Sequence, residues 1–362
     1  MSILIFIIIL LVLVLVHEFG HFFTAKRFGI RVDEFGFGFP PKLFGIKKGE
    51  TEYTFNLLPI GGFVKIFGEN PDEENTNGPD KERSFVHKPK YQQAIVLFAG
   101  IFANFLLAWL LFSIGFMSGL PTSVGNEPKD YKIQDVHLVV LSVLPNSPAE
   151  AVGLKSGDKI VYIKNEKSVT DQINPEIVKS FVALGKQIEI GYLRGKDTTY
   201  NMIQVTPKNI NGSYAIGISM DEIGIVKLPI LNAFWEGLVL DWSVTKETVT
   251  GLYELILRGI EGKGSFSGVT GPVGMVGIVG NAYQFGFVYL LSFAALISVN
   301  LAIINLIPFP ALDGGRLLFL LIEKIKGSRM NPKFANTANM VGFAILIILM
   351  LFVTYHDVVK LF

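Results

Sequence analysis

Two histidines separated by three residues carry the most recognisable chemistry in this sequence. His17-Glu18-Phe19-Gly20-His21 closes the apolar run from Ile3 to Val16. Residues four apart lie on one face of a helix, which is the usual way for a helix to present two imidazoles to a tetrahedral zinc ion. Glu18 is placed to act as general base for a water molecule that the metal activates. The pattern also fits two histidines on an ordinary helix, but ionisable groups in an apolar helix are costly and are functional candidates by default.

The composition is that of an integral membrane protein with a soluble portion. The chain has 362 residues, of which 50% are hydrophobic and 17% are charged, and its formal net charge is +1. This balance gives no reason to expect a nucleic-acid partner. Because the chain contains no cysteine, disulfides and thiolate zinc sites are excluded.

Four apolar stretches predict four transmembrane helices, each near the ~20 residues needed to cross a bilayer. They are Ile3–Val16, which leads into the histidine motif, and about Tyr91–Met117, Phe285–Ile307 and Ala338–Val353. Lys and Arg are concentrated between the first two and between the last two spans, which places both segments in the cytoplasm. Both chain termini and the segment from about Leu120 to Gln284 are then extracytoplasmic.

The first cytoplasmic segment contains two β-prone runs within Tyr53–Lys65, on either side of a Pro-Ile-Gly-Gly sequence. This pattern predicts a membrane-associated β-hairpin. The polar stretch from Glu69 to Lys90 predicts a mobile linker.

The extracytoplasmic segment predicts one small α+β domain followed by amphipathic helices. Strands are expected at His137–Val143, Gln187–Arg194, Thr199–Val205 and Tyr214–Ser219, and a turn leads into a further strand within Lys155–Ile163. A turn and short helix are expected at Pro145–Leu154 and a helix at about Pro175–Leu184. Between Leu231 and Ile260, apolar and charged residues alternate in a way that predicts one or two amphipathic helices. These lie either on the outer leaflet or against the domain.

A catalytic zinc site needs a third protein ligand. The predicted topology removes His137 and His356, because they lie on the outer side while the motif lies toward the cytoplasm. His87 remains possible, but Asp313, at the inner end of the third span, is the better candidate. An Asp beside a Pro-broken backbone at membrane depth is tolerated mainly where it lines a protein interior or a water cavity. The alternative is that Asp313 only caps the following helix.

At this point the sequence resembles the site-2 protease family of intramembrane zinc metalloproteases, most closely RseP-type bacterial members with a PDZ domain. The resemblance rests on five motifs in order along the chain: His17–His21, Leu58–Lys65, Ala99–Asn104, Gly271–Gly274 and Asn305–Gly315. It implies one Zn²⁺ per chain held by His17, His21 and Asp313, with Glu18 activating water. It also implies that Asn305 contacts the substrate near the scissile carbonyl. Arg316 and Ile101 depart from residues common in relatives, and neither is a proposed ligand.

The expected fold is a four-helix membrane protein with the β-hairpin and an inserted PDZ domain. The expected division is 1–118 and 285–362 for the protease core, 130–220 for a single PDZ domain and 221–284 for the amphipathic helices. Candidate substrate-binding residues are Gly61, Gly62, Phe63, Asn305 and Pro308, and a weak PDZ peptide-binding candidate is Ile216-Gly217-Ile218.

The expected function is zinc-dependent cleavage within the transmembrane segments of single-pass proteins in the bacterial cytoplasmic (inner) membrane. An anti-sigma factor or a remnant signal peptide would be the substrate, and an extracytoplasmic peptide would bind the PDZ domain. Two alternatives are a noncatalytic PDZ-bearing receptor or scaffold and a membrane-anchored zinc protease for soluble substrates.

Overall fold

Two units make up the fold, and each is assembled from separate stretches of chain. The computed structural model describes residues 1–69, 77–129, 131–195, 197–210, 212–262 and 270–359. Unit 1 contains Met1–Phe112, Gly237–Val279 and Phe293–Phe362, whereas unit 2 contains Ser113–Glu236 and Gly280–Ser292.

Four helices in the described part of the chain are long and apolar enough to span a membrane, which agrees with the four predicted spans. They are α1 (Ser2–Arg27), α2 (Lys90–Ser118), α7 (Phe287–Leu306) and α9 (Pro332–Val359). The first extends well beyond its apolar run, so the whole histidine motif is helical. It ends at the basic residues Lys26 and Arg27, which complement the negative end of the helix dipole.

The remaining helices are α3 (Pro148–Ala151), α4 (Pro175–Ala183), α5 (Ile230–Ile260), α6 (Pro272–Phe285) and α8 (Asp313–Lys326). The stretch predicted as one or two amphipathic helices is the single helix α5. One face of it contributes Leu240 and Val244 to an apolar cluster in unit 1, where Phe112 of α2 and Val299 of α7 are buried. Because lipid is as apolar as these side chains, close van der Waals packing rather than removal from water holds the membrane helices α2 and α7 together here.

The β-strands of unit 1 differ from the predicted hairpin. They are β1 (Val32–Lys48) and β2 (Thr51–Ile66). Phe35 on β1 lies opposite both Tyr53 and Val64, and Phe37 lies opposite both Phe55 and Gly62. The start of β1 therefore lies between the two runs that were expected to pair with each other. The hairpin prediction is wrong because β1, which was not predicted as a strand, lies between the two runs and pairs with both of them.

The predicted linker also proves to be structured where the structure describes it. Two short 3₁₀ helices occupy Lys81–Arg83 and Phe85–His87. Phe85 is buried beside Ala25, Ile30 and Val96, and its amide donates to the carbonyl of Phe67. The prediction of a mobile linker is therefore wrong for residues 81–87, and residues 70–76 lie outside the described residues.

Unit 2 contains a seven-stranded sheet in the order β3-β11-β4-β5-β7-β8, with β6 paired to β5, and a separate pair β9-β10. The strands are β3 (Leu120–Ser123), β4 (Gln134–Val143), β5 (Lys159–Lys164), β6 (Val169–Thr170), β7 (Ile188–Leu193), β8 (Asn201–Val205), β9 (Lys208–Ile210), β10 (Ser213–Ala215) and β11 (Ile218–Val226). Val140, Ile163, Val178 and Ile190 are among the fully buried side chains of its core, so the α+β character of this segment is confirmed.

One expected strand in unit 2 is divided. The run Tyr214–Ser219 was predicted as a single strand, but β10 ends at Ala215 and β11 begins at Ile218. Gly217 between them has φ +81°, and a methyl group on it would lie 2.4 Å from Cβ of Ser147. Only glycine fits this conformation and this space.

Candidate active site

The structure brings His17, His21 and Asp313 together, although 292 residues of chain separate the last two. Nε2 of His17 lies 3.1 Å and Nε2 of His21 lies 3.2 Å from Oδ2 of Asp313, and the two Nε2 atoms are 3.2 Å apart. Both histidines are buried. Among the described residues this is the one group of His, Asp and Glu side chains that could hold a metal ion.

These three atoms fit a zinc ion. Zinc bonds of about 2.0–2.1 Å in a tetrahedral arrangement place neighbouring ligand atoms about 3.3 Å apart, close to the three distances in the structure. Oδ2 of Asp313 is buried and has no hydrogen-bond partner in the described part of the chain. A buried carboxylate oxygen of this kind fits the role of a metal ligand. Burial would raise the pKa of the Asp313 carboxyl, but the two facing imidazoles lower it overall, so the carboxylate is ionised at neutral pH.

A close crossing of α1 and α2 positions the two histidines. A methyl group on Gly20 would lie 2.3 Å from the carbonyl oxygen of Ala99, and one on Gly100 would lie 2.2 Å from Nε2 of His21. Two glycines therefore let the helix backbones approach and leave room for the imidazole of His21. Both glycines lie within sequence motifs, but nothing in the sequence alone indicates that the two helices cross at them.

Hydrogen bonds from α2 orient the imidazoles. Nδ1 of His21 lies 2.8 Å from the carbonyl oxygen of Val96, and Nδ1 of His17 lies 3.2 Å from the side-chain amide of Asn104. Val96, Gly100 and Asn104 occupy successive turns on one face of α2, because they are four residues apart. This spacing could have been read from the sequence, but only once α2 was known to cross the histidine motif.

The loop between α7 and α8 sets the position of Asp313. Methyl groups on Gly314 and Gly315 would lie 2.3 and 2.2 Å from the carbonyl oxygens of Ile307 and Phe309, so the start of α8 packs directly on the end of α7. The amide of Ala311, at φ +75°, donates to Oδ1 of Asn339 on α9. No side-chain hydrogen bond caps α8, whose N-cap residue is Leu312. The capping role considered for Asp313 is therefore not what the structure displays.

Glu18 lies between the metal cluster and β2. Its carboxylate accepts a hydrogen bond from the amide of Val64, and Gly62 is buried against it, since a methyl group there would be 3.6 Å from Cγ of Glu18. The guanidinium of Arg316 interacts electrostatically with Glu18 and forms an ion pair with Glu69.

The other predicted site residues have different positions. Gly61 and Phe63 lie on β2 beside Gly62, and the ring of Phe63 stacks on that of Phe39 at 6.5 Å. Asn305 is half-buried in the last turn of α7, and Pro308 is exposed in the loop that follows. The roles given to these residues stay predictions.

Three histidines lie outside the cluster. His87 ends a 3₁₀ helix, and His356 lies near the end of α9. His137 pairs with Asp135 in unit 2 at 3.0 Å. The preference for Asp313 over His87 as the third member of the cluster therefore agrees with the geometry.

Comparison with known proteins identifies the class to which this site belongs. The profile of Peptidase family M50 matches residues 5–349, so the chain belongs to that family. It is accordingly a zinc metalloprotease of the bacterial membrane, and the alternative of a noncatalytic receptor is rejected.

Two relatives named RasP align with nearly the whole chain. The zinc metalloprotease RasP of Geobacillus kaustophilus is 33% identical over 442 aligned positions, which cover 100% of this chain and 98% of the relative. The regulator of sigma-W protease RasP of Bacillus subtilis is 31% identical over 441 positions, which cover 99% of this chain and 98% of the relative.

Proposed function

We propose that this protein is an intramembrane endopeptidase that cleaves peptide bonds within transmembrane segments of single-pass membrane proteins. The observation that carries the proposal is the position of the His17–Asp313 cluster. It joins the helix α1, which is apolar enough to span a membrane, to the loop that follows another such helix, α7. A site built in this way meets its substrate at membrane depth rather than in bulk solvent.

In this proposal His17, His21 and Asp313 hold the zinc ion. The bound zinc supplies Lewis acidity, which polarises the scissile carbonyl and makes water a better acid. The ligands come from α1 and from the start of α8, and the close helix contacts at Gly20, Gly100 and Gly314 fix their separation.

Glu18 acts as general base in the proposal. Its carboxylate is held by the amide of Val64 and follows His17 directly in sequence. It takes a proton from the attacking water and delivers it to the leaving amine. The nearby positive charge of Arg316, itself paired with Glu69, keeps this pocket electrostatically balanced while the proton moves.

The segment of β2 around Gly62 offers a place for the substrate backbone. A peptide bond in a transmembrane helix is shielded, because its carbonyl is already hydrogen-bonded within the helix. An unwound substrate could instead pair with a strand edge, which would replace the lost hydrogen bonds. One edge of Gly62–Val64 pairs with β1, while Val64 directs its amide toward Glu18. A substrate strand added on that side passes directly beside the base. Asn305 and Pro308 are the further substrate contacts that we propose.

We propose that the site lies toward the cytoplasm and that both termini lie outside, because Lys and Arg are concentrated between the first two spans and between the last two. The Bacillus subtilis relative is named as a regulator of sigma-W protease, which favours a membrane-bound regulator of a sigma factor as the substrate class. The segment 130–220 is then proposed to face the extracytoplasmic side as a PDZ domain.

The peptide groove of that domain is proposed between α4 and the start of β11. Residues Ile218–Glu222 pair with β4 on one edge, whereas β3 pairs only with Ile223–Val226 on the other. The carbonyls of Ile216 and Gly217 already accept hydrogen bonds from Ala149 and Leu144. The carbonyl of Glu222 also accepts a hydrogen bond, from the amide of Val124. A peptide would therefore pair with the edge of Ile218–Asp221, rather than with the carbonyls of Ile216 and Gly217.

A reconstituted cleavage assay tests the proposed function. The purified protein is placed in liposomes with a single-pass reporter whose transmembrane segment carries a label on each side. Cleavage sites are mapped by mass spectrometry. The wild type should cut within the apolar segment, and Glu18→Gln should retain zinc but lose at least 10³-fold in rate, because a general base and its water are both affected.

Two outcomes would contradict the proposal. Cuts confined to the water-exposed flanks of the reporter would favour a membrane-anchored protease for soluble substrates. Undiminished cleavage by Glu18→Gln would remove Glu18 from the reaction.

A further inference from the structure

The side chain of Asn104 lies against the first of the two histidines. Asn104 is fully buried on α2, and its amide nitrogen is 3.2 Å from Nδ1 of His17. Its amide oxygen is buried and has no hydrogen-bond partner in the described part of the chain. No other described contact therefore fixes which end of the amide faces the imidazole.

The tautomer of His17 decides which end that must be. Both histidines direct Nε2 toward Oδ2 of Asp313, so in a neutral imidazole that binds a metal through Nε2 the proton lies on Nδ1. For His21 the acceptor of this proton is the carbonyl of Val96, at 2.8 Å. For His17 the polar group at the corresponding position is the amide of Asn104.

We infer that the amide oxygen of Asn104 accepts the Nδ1 proton of His17 and thereby positions His17 as a zinc ligand. A half-turn of the amide exchanges its oxygen and nitrogen with almost no change in shape. Such an acceptor fixes the tautomer and the ring orientation and makes the coordinating nitrogen more basic. The inference rests on the ligand set of the proposed function.

The backbone of Asn104 is itself anchored. The hydroxyl of Ser298 on α7 donates to the carbonyl of Asn104 at 2.8 Å, and both groups are buried. A hydrogen-bonded chain thus joins α7 to α2 and α2 to the histidine on α1. The contact with Ser298 involves the backbone of Asn104, so it bears on the packing of α7 against α2 and not on the amide that faces His17.

Zinc affinity separates this positioning role from simple packing. Purified wild type, Asn104→Leu and Asn104→Asp are titrated with a chromophoric zinc chelator, and the melting temperature of each metal-free protein is measured in EDTA. Leu has the same branching as Asn, with two methyl groups in place of the amide oxygen and nitrogen, and accepts no hydrogen bond, whereas Asp retains the acceptor. Ser298→Ala is the packing control, because it removes a buried hydrogen bond at the same crossing without altering the amide that faces His17.

We expect Asn104→Leu to weaken zinc binding by about 10–100-fold, and Asn104→Asp to bind at least as tightly as wild type. Ser298→Ala should bind zinc within about threefold of wild type. Equal zinc affinity in wild type and Asn104→Leu would overturn the inference, as would an equal loss in the Leu and Asp variants.

A spectroscopic measurement keeps the test independent of variant folding. In wild-type protein labelled with ¹⁵N-histidine, zinc loading should give two slowly exchanging Nδ1 protons, one for each motif histidine. A rapidly exchanging His17 proton would refute the inference even if Asn104→Leu does not fold. Failure of the proposed function is distinguishable, because His17→Ala would then leave the zinc affinity unchanged.

Discussion

Replacement of Gly100 by alanine tests the geometry of the site without altering any proposed ligand. The added methyl carbon would lie 2.2 Å from Nε2, 2.6 Å from Cε1 and 2.8 Å from Cδ2 of His21. Ordinary contact between such atoms begins near 3.5 Å. The imidazole must therefore move by more than 1 Å, or α1 and α2 must separate by a similar distance.

The size of the effect follows from the tolerance of zinc ligation. Metal-ligand distances hold to about ±0.2 Å, so a displacement of about 1 Å removes His21 from the site. Structural four-ligand zinc sites bind with about 10–16 kcal/mol, or roughly 2.5–4 kcal/mol for each ligand. We therefore expect Gly100→Ala to weaken zinc binding by about two to three orders of magnitude and to abolish cleavage at limiting zinc.

The measurement is zinc affinity by chelator competition on detergent-purified protein, with the cleavage assay alongside it. Gly251→Ala is the matched control, because Gly251 lies on helix α5 with nothing within 4 Å of the added methyl group. It should be neutral or stabilising by about 0.5–1 kcal/mol. Wild-type zinc affinity in Gly100→Ala would show that Nε2 of His21 is not held at this crossing and would refute the site geometry.

Two further predictions concern buried carboxylates outside the metal cluster. Burial raises the pKa of Asp241 on α5 from 3.8 to about 6, so the folded state favours the neutral acid. Ionisation of Asp241 therefore destabilises the folded protein. The free energy of unfolding is unaffected below about pH 4 and falls by about 3 kcal/mol as the pH rises through 6. Asp241→Asn should therefore raise the melting temperature more at pH 8 than at pH 5, and an equal change at both pH values would contradict this reasoning. Asp357 on α9 accepts hydrogen bonds from the amides of Gly271 and Gly274 at the start of α6, at 3.1 and 2.9 Å. Asp357→Leu should lower the free energy of unfolding by about 2–4 kcal/mol, since it leaves the amides of Gly271 and Gly274 without this acceptor. A melting temperature equal to that of wild type would show that these two hydrogen bonds contribute nothing.

The sequence was informative wherever one local property determined the outcome. Apolar runs predicted the four long helices, because a membrane span needs only length and hydrophobicity. The i, i+4 spacing and the Pro-broken end of the third apolar helix were enough to select His17, His21 and Asp313 as companions. The α+β character of unit 2 followed from strand patterns between turn residues.

The failures occurred where pairing partners are distant or ambiguous in sequence. The run at Tyr53 and the run at Val64 both fit a strand, and nothing local indicates that Phe35 lies between them. The polar stretch before Lys90 has the composition of a linker, yet the buried side chain of Phe85 and the ion pair of Arg31 with Asp80 hold part of it in place. Tertiary contacts of this kind cannot be read from composition.

The motif on α2 explains why a pair of histidines needs a second helix. A helix can place two imidazoles one turn apart, but it cannot supply acceptors for their Nδ1 protons, because its own carbonyls are already used. Val96 and Asn104, eight residues apart, reach the two Nδ1 atoms, and Gly100 between them leaves room for the ring of His21. The middle position, Gly100, therefore requires a small residue. The third position, Asn104, requires a side chain that can accept a hydrogen bond from His17. The two histidines at i and i+4 on α1 therefore depend on three residues at i, i+4 and i+8 on α2. Neither helix alone supplies both the zinc-binding imidazoles and the hydrogen-bond partners of their Nδ1 atoms.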